Sequence, residues 1–220
     1  MLAQKLRRFA RPLTRDVRRR GRYQPVATAI VEDRVEALSE YAQVSIEFHV
    51  REVLDVVAPQ QGLEGLSLRV RTVDTPYTKD YDALNHPTQW PERFDMSRWG
   101  ILAAIKNGLR IGGAVVAWDT EGVDLLAGRR DMAVLWDLRI APVERGKGIG
   151  ARLFRAVEDW ALARDVRWLK VETQNVNVPA SRFYASQGCI LGSIDRFAYP
   201  TLPEETQLCW YKDLSGDQTV

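Results

Sequence analysis

Residues 145–151 read Arg-Gly-Lys-Gly-Ile-Gly-Ala, three glycines at alternate positions with two cations among them. A strand-like run, Val134–Ile140, precedes them through Ala141-Pro142-Val143-Glu144. An amphipathic stretch follows over Ala151–Arg164, with Leu153, Val157, Trp160 and Ala161 on one helical face, and then a second strand over Trp168–Thr173. Nothing else in the chain restricts the fold as tightly. Glycines let the backbone approach a ligand closely, and a helix N-terminus adds unpaired N–H donors and the positive end of its dipole. With Arg145 and Lys147 beside them, residues 145–151 suit a pyrophosphate; the plainer reading is a glycine-rich turn opening a helix.

Two common pyrophosphate sites do not fit. A P-loop needs G-x-x-x-x-G before the lysine and Ser or Thr after it, and Lys147 has neither. Gly146–Ala151 matches the dinucleotide pattern G-x-G-x-x-A, with Glu172 about twenty residues on. In that fold, however, the first glycine follows its strand almost directly, and the strands are buried and nearly all apolar. Here residues 142–145 intervene, and the strand carries Asp137 and Arg139.

The remaining chain reads as one α/β (α+β) domain over residues 23–220 behind a basic arm at residues 1–22. Val35–Tyr41 suggests a short helix, and Val44–Val50 and Leu66–Val73 suggest strands. Trp99–Ile105 and Arg110–Trp118 form a hairpin about an Asn107-Gly108 turn. Asp74–Trp99 has aromatics and prolines without a steady period, which fits either a substrate-binding lid or short helices with aromatic anchors.

The arm holds nine basic side chains against Asp16, a net of +8, so the rest of the chain, 22 basic and 28 acidic residues, sums to −6. Leu2, Leu6, Phe9, Leu13 and Val17 line one side of a helix that Pro12 interrupts. The arm reads as an N-terminal extension, or as a weak contact with an anionic membrane surface; no nucleic-acid-binding module is evident. Two cysteines argue against a disulfide framework or structural zinc, and no metal is expected. The longest apolar runs fall far short of a bilayer span, so the expected setting is cytoplasmic.

The strand–Pro–Arg145-x-x-Gly148-x-Gly150–helix pattern resembles the acetyl-CoA motif Q/R-x-x-G-x-G/A of the GNAT N-acetyltransferases. Asn177-x-x-Ala180-x-x-x-Tyr184-x-x-x-Gly188 resembles a second motif of that family, with Cys189 where Phe is usual. Residues 172–180, 192–199 and 208–211 look most like its streptothricin acetyltransferase branch. The resemblance implies a GNAT fold: a mixed, mostly antiparallel central sheet flanked by helices, with a bulged and splayed strand pair holding acetyl-CoA as co-substrate. It also implies direct attack by an amine of a small cationic acceptor in a ternary complex. A peptide or protein amine, or a non-catalytic acyl-CoA-binding module, are the alternatives, and a homodimer stays open.

Carried onto this chain, the backbone of Arg145, Gly146, Lys147, Gly148, Ile149, Gly150 and Ala151 would hold the pyrophosphate. The strand edge at Leu138, Arg139 and Ile140 would pair with pantetheine, and an N–H near Leu138 would polarise the thioester carbonyl. Asn177 would cap its helix or reach the pantetheine arm. Tyr184 matches the tyrosine that protonates the leaving thiolate; otherwise it is a packing aromatic beside Phe183. A lysine-like amine of pKa about 10.4 must lose a proton to react. Asp137 and Glu172 are the candidate proton acceptors, set against salt bridges to Arg139 and Lys170, and Asp195 is a third acidic candidate for acceptor binding.

Overall fold

A computed structural model describes residues 27–216. The arm at residues 1–22, with its amphipathic pattern, lies outside the described residues. Strand β1 (Ala29–Asp33) leads through a 3₁₀ turn to the one-turn helix α1 (Leu38–Tyr41), as the run Val35–Tyr41 suggests. Strands β2 (Phe48–Val57) and β3 (Ser67–Lys79) follow and pair only with each other. Strand β2 begins four residues later than expected, and β3 runs six residues past Val73, into the stretch read as irregular. That stretch then contains the short helix α2 (Trp90–Arg93) between 3₁₀ turns.

Strands β4 (Gly100–Lys106) and β5 (Leu109–Trp118) form the expected hairpin. Asn107 and Gly108 both have positive φ, 53° and 75°, as a two-residue primed turn requires. Strand β6 (Met132–Ile140), helix α3 (Ile149–Leu162) and strand β7 (Trp168–Gln174) make the only parallel crossover among the described strands. Helix α4 (Val178–Ser186), β8 (Ile190–Asp195) and β9 (Gln207–Asp213) are the last elements of the described residues. The main sheet has seven strands in the order β1-β4-β5-β6-β7-β9-β8, antiparallel everywhere except β6–β7.

Each face of this sheet carries its own core. On one, Leu153, Val157 and Trp160 of α3 and Tyr184 of α4 pack on Ala114, Leu135 and Val171. On the other, Tyr41, Trp90 and Trp99 cover Val115, Ala117 and Val134. The β2–β3 ribbon joins the main sheet through Asn175. Its backbone C=O accepts from Leu54 N–H (2.9 Å), while its side-chain Nδ2 donates to the Leu54 carbonyl (3.1 Å). Its N–H and Oδ1 bond the backbone of Thr206 in turn, at 2.9 and 2.8 Å. A buried amide thus acts as a strand link between elements that share no ladder.

Tyr41 reaches the sheet because Gly113 lets it. A Cβ on Gly113 would lie 2.6 Å from both the Leu102 carbonyl and the Tyr41 ring. Gly113→Ala should therefore destabilise the protein by about 1–3 kcal/mol through overpacking. An unchanged urea midpoint would contradict this.

Candidate active site

The glycine-rich segment forms an open cradle at the start of α3. After Ile140 a 3₁₀ turn over Pro142–Glu144 redirects the chain. Gly146 (φ 75°) and Gly148 (φ 78°) then adopt left-handed backbone, the second as N-cap of α3. A Cβ on either would meet nothing within 4 Å, so glycine is required by conformation and both positions face open space. Gly150 is different, since its Cβ would sit 3.4 Å from the Phe183 ring of α4. The first intrahelical bond runs from Arg152 N–H to the Gly148 carbonyl, which leaves the N–H groups of Ile149, Gly150 and Ala151 ahead of the ladder. That donor set fits a pyrophosphate.

The two cations behave differently. Lys147 is 53% exposed at the rim and pairs with Glu144 at 3.2 Å. Arg145 remains exposed but donates to three carbonyls: Ile140 (2.9 Å), Glu47 (2.7 Å) and Ser45 (3.2 Å). Its side chain serves protein backbone, where the sequence alone suggested a charge for the ligand.

Next to the cradle, β6 carries a bulge and parts from β7. Val115 pairs with Asp137 but Val116 pairs with Leu135, so Trp136 is the extra residue. The parallel ladder ends at Leu135–Val171, although β6 continues to Ile140 and β7 to Gln174. A cleft of about 730 Å³ occupies the gap. Leu138, Gly150 and Tyr184 line it from the α3 side, and Trp90, Trp136 and Glu172 from the other. The cleft therefore passes between strands of the sheet.

Tyr184 is buried against Phe154 and Phe183 yet lines the cleft, and its hydroxyl has no hydrogen-bond partner among the described residues. Burial pushes its pKa well above the ordinary phenol value, and the charge of Asp137 adds to the shift. It keeps its proton throughout the physiological range. Asn177 caps α4, its Oδ1 accepting from Ala180 N–H at 3.2 Å, and also lines the cleft.

The two carboxylates named from the sequence sit in opposite electrostatic states. Asp137 lies beside the fully buried guanidinium of Arg139, which donates to both of its oxygens (3.0 and 2.8 Å), and Tyr41 donates to it as well. Arg139 also grips Asp82 at 2.8 and 3.0 Å and reaches the Val44 carbonyl at 3.2 Å. Burial alone would lower the Arg139 pKa, but its bonds to Asp137 and the neighbouring negative charge outweigh this and raise it. Glu172 has no cation partner among the described residues. Tyr199 (2.6 Å) and Gln174 (3.2 Å) donate to one oxygen and Gln207 (2.7 Å) to the other. Lys170 turns instead to the Leu125 carbonyl at 3.1 Å. Asp195 is exposed, caps the turn at Phe197 and does not line the cleft. Among the described residues no group of three or more His, Cys, Asp or Glu could hold a metal ion.

Residues 68–189, more than half of the chain, match the Acetyltransferase (GNAT) family. The chain belongs to this family. With its relatives it is an acyl-CoA-dependent N-acetyltransferase. It is 32% identical over 180 residues to an Escherichia coli protein named streptothricin acetyltransferase, an alignment covering 80% of this chain and 91% of the relative. Streptothricin acetyltransferase A of Bacillus subtilis (strain 168) is 33% identical over 81 residues, 36% of this chain and 47% of that protein. Among solved structures, nourseothricin acetyltransferase superposes with a TM-score of 0.68 at 23% identity, covering 86% of this chain and 99% of that one. A Bacillus anthracis str. Ames protein in complex with acetyl coenzyme A superposes at 0.66 with 22% identity and the same coverage. These likenesses show the mixed, mostly antiparallel GNAT fold.

For this GNAT chain, the motifs located the cradle, the splay, Tyr184 and Glu172, and the irregular stretch 74–99 supplies Tyr81, Asp82 and Trp90 to the cleft. Tyr41, Asp82 and Gln207 gave no signal of a site, and Tyr199 only closed the 192–199 resemblance. The Arg139 network yields a prediction. Arg139→Met should cost about 3–5 kcal/mol of stability, because it strands the charges of Asp137 and Asp82 in a buried site. Chemical denaturation checks this, and a loss below 1 kcal/mol would show the network to be dispensable.

Proposed function

We propose that this enzyme transfers the acetyl group of acetyl-CoA to a primary amine of a small cationic acceptor, a streptothricin-like antibiotic, by direct attack in a ternary complex. Such an activity would confer resistance to that antibiotic. The observation that carries the reading is one cleft lined both by a protonated, unpartnered phenol and by a carboxylate without a cation. The relatives named for streptothricin acetylation support the choice of acceptor.

The N–H groups of residues 146–151 hold the pyrophosphate of the co-substrate, and the freed edge at Leu138–Ile140 pairs with its pantetheine. An N–H near Leu138 polarises the thioester carbonyl. Glu172 attracts the acceptor ammonium and takes one of its protons, a role open to it because its hydrogen bonds come from neutral groups. Asp137, neutralised by Arg139, holds the site's shape. The amine nitrogen then bonds the acetyl carbon as the C–S bond breaks. Tyr184 gives its proton to the sulfur, and the second proton shed by the nitrogen restores it. The proton on Glu172 passes to solvent.

The test is free-thiol release from acetyl-CoA with a streptothricin, a linear polyamine, an aminoglycoside and a lysine-containing peptide. Turnover should favour the streptothricin; coenzyme A binding without turnover of any acceptor would sink the enzyme reading. Tyr184→Phe should lower kcat by about 10²–10⁴-fold while leaving coenzyme A affinity intact, as loss of a general acid does. Because the Tyr184 pKa is raised, ionisation of that phenol should cause no fall in the wild-type rate between pH 7 and about 10. A descending limb in that range that disappears in Tyr184→Phe would refute the assignment. Glu172→Gln should cost about 10²-fold or more in kcat/KM, whereas Asp137→Asn should chiefly reduce stability. The reverse pattern would move the proton acceptor to Asp137.

A further inference from the structure

Between α1 and β2 the chain runs through residues 45–47 without regular structure, so its carbonyls must find donors elsewhere. Two arginines from the β6–α3 junction supply them. Arg139 takes the Val44 carbonyl, and Arg145 takes those of Ser45 and Glu47 while its Nε holds Ile140. Each guanidinium nitrogen of Arg145 thereby donates one hydrogen bond to a backbone carbonyl. The strapped segment carries Ile46 and leads directly to Phe48; both line the cleft, and Phe48 packs on Tyr81 with ring centroids 5.9 Å apart. Arg145 directly precedes the proposed pyrophosphate cradle, and its own N–H goes to the Pro142 carbonyl (3.3 Å).

We infer that Arg145 is a positioning residue for the acceptor wall, tying the 44–48 strap to the end of β6 so that Ile46 and Phe48 stand against the reacting centre. Its planar fork, rather than its charge, is what the site uses. A lysine offers one compact ammonium and cannot span carbonyls from two segments, so it should not replace the arginine. The inference rests on the acetyl-transfer reading only for its kinetic consequence; the strap itself can be probed without an acceptor.

The experiment compares wild type with Arg145→Lys and Arg145→Gln in the full chain. Hydrogen–deuterium exchange should rise at residues 44–50 in both variants while α3 stays protected. The Kd for coenzyme A, by calorimetry, should change by less than about threefold, because the cradle's backbone donors are untouched. With the best acceptor from the panel, its KM should rise about tenfold or more in both variants, with kcat changed much less. The inference is overturned if exchange at 44–50 is unchanged. It is equally overturned if the Kd for coenzyme A rises about tenfold in Arg145→Gln and recovers in Arg145→Lys, which would make the guanidinium a charge for the co-substrate. Absence of turnover with every acceptor would count against the proposed function, while exchange and calorimetry would still decide the role of Arg145.

Discussion

The single extra residue at Trp136 sets the geometry on which the site depends. Up to Leu135 the strand alternates regularly, with Ala133 and Leu135 toward α3 and Met132 and Val134 toward the opposite core. The bulge resets that alternation. Trp136 packs among Trp90, Phe94 and Trp99, while Asp137 and Arg139 reach Tyr41 on the same face, and Leu138 and Ile140 join the α3 core. Were Trp136 kept in a regular strand with no bulge, Asp137 and Arg139 would point into the apolar layer beneath α3. The β6–β7 ladder stops at the same place, so one local irregularity both opens the sheet and turns charge toward the opening.

Holding that opening requires long-range polar contacts, because the surrounding segments share no ladder with the main sheet. Asn175 ties β2 to the end of β7 and the start of β9. Glu205 collects Lys79 and the Tyr81 hydroxyl at the end of β3. Arg139 holds Asp82, next in sequence to Tyr81. Each is a buried or half-buried polar group with its partners in place, which is the condition for such groups to be tolerated. These hydrogen bonds act together with small apolar contacts, Val50 and Val53 on Val176 and Leu54 on Val178 and Leu208, to position the walls of the cleft.

The parts of the structure legible in the sequence are those whose constraint is local. Left-handed backbone at Gly146 and Gly148, the Asn107-Gly108 turn and the apolar stripe of α3 each follow from residues a few positions apart. The motif spacing located Tyr184 and Asn177, and the strand order put Asp137 and Glu172 on the adjacent strands that flank the splay. Tyr41, Asp82 and Gln207 have no periodic or spacing signature, and the 192–199 resemblance gave Tyr199 no partner, so only the folded chain brings these four residues to the site. Arg145 shows a second limit. A linear motif records that a cation stands beside the glycines of the cradle, but the direction of its side chain depends on carbonyls about a hundred residues earlier.

Because the cleft is a slot between strands and not a groove on one surface, its two sides are chemically distinct compartments. The glycine cradle and the α4 tyrosine belong to one layer; the aromatic cluster and Glu172 belong to the other. On the proposed mechanism, substitutions that reshape the pocket for a new amine can accumulate in α1, β2–β3 and the 80–90 segment without touching the layer assigned to the thioester. A protein divided in this way can change its acceptor while keeping its acetyl donor.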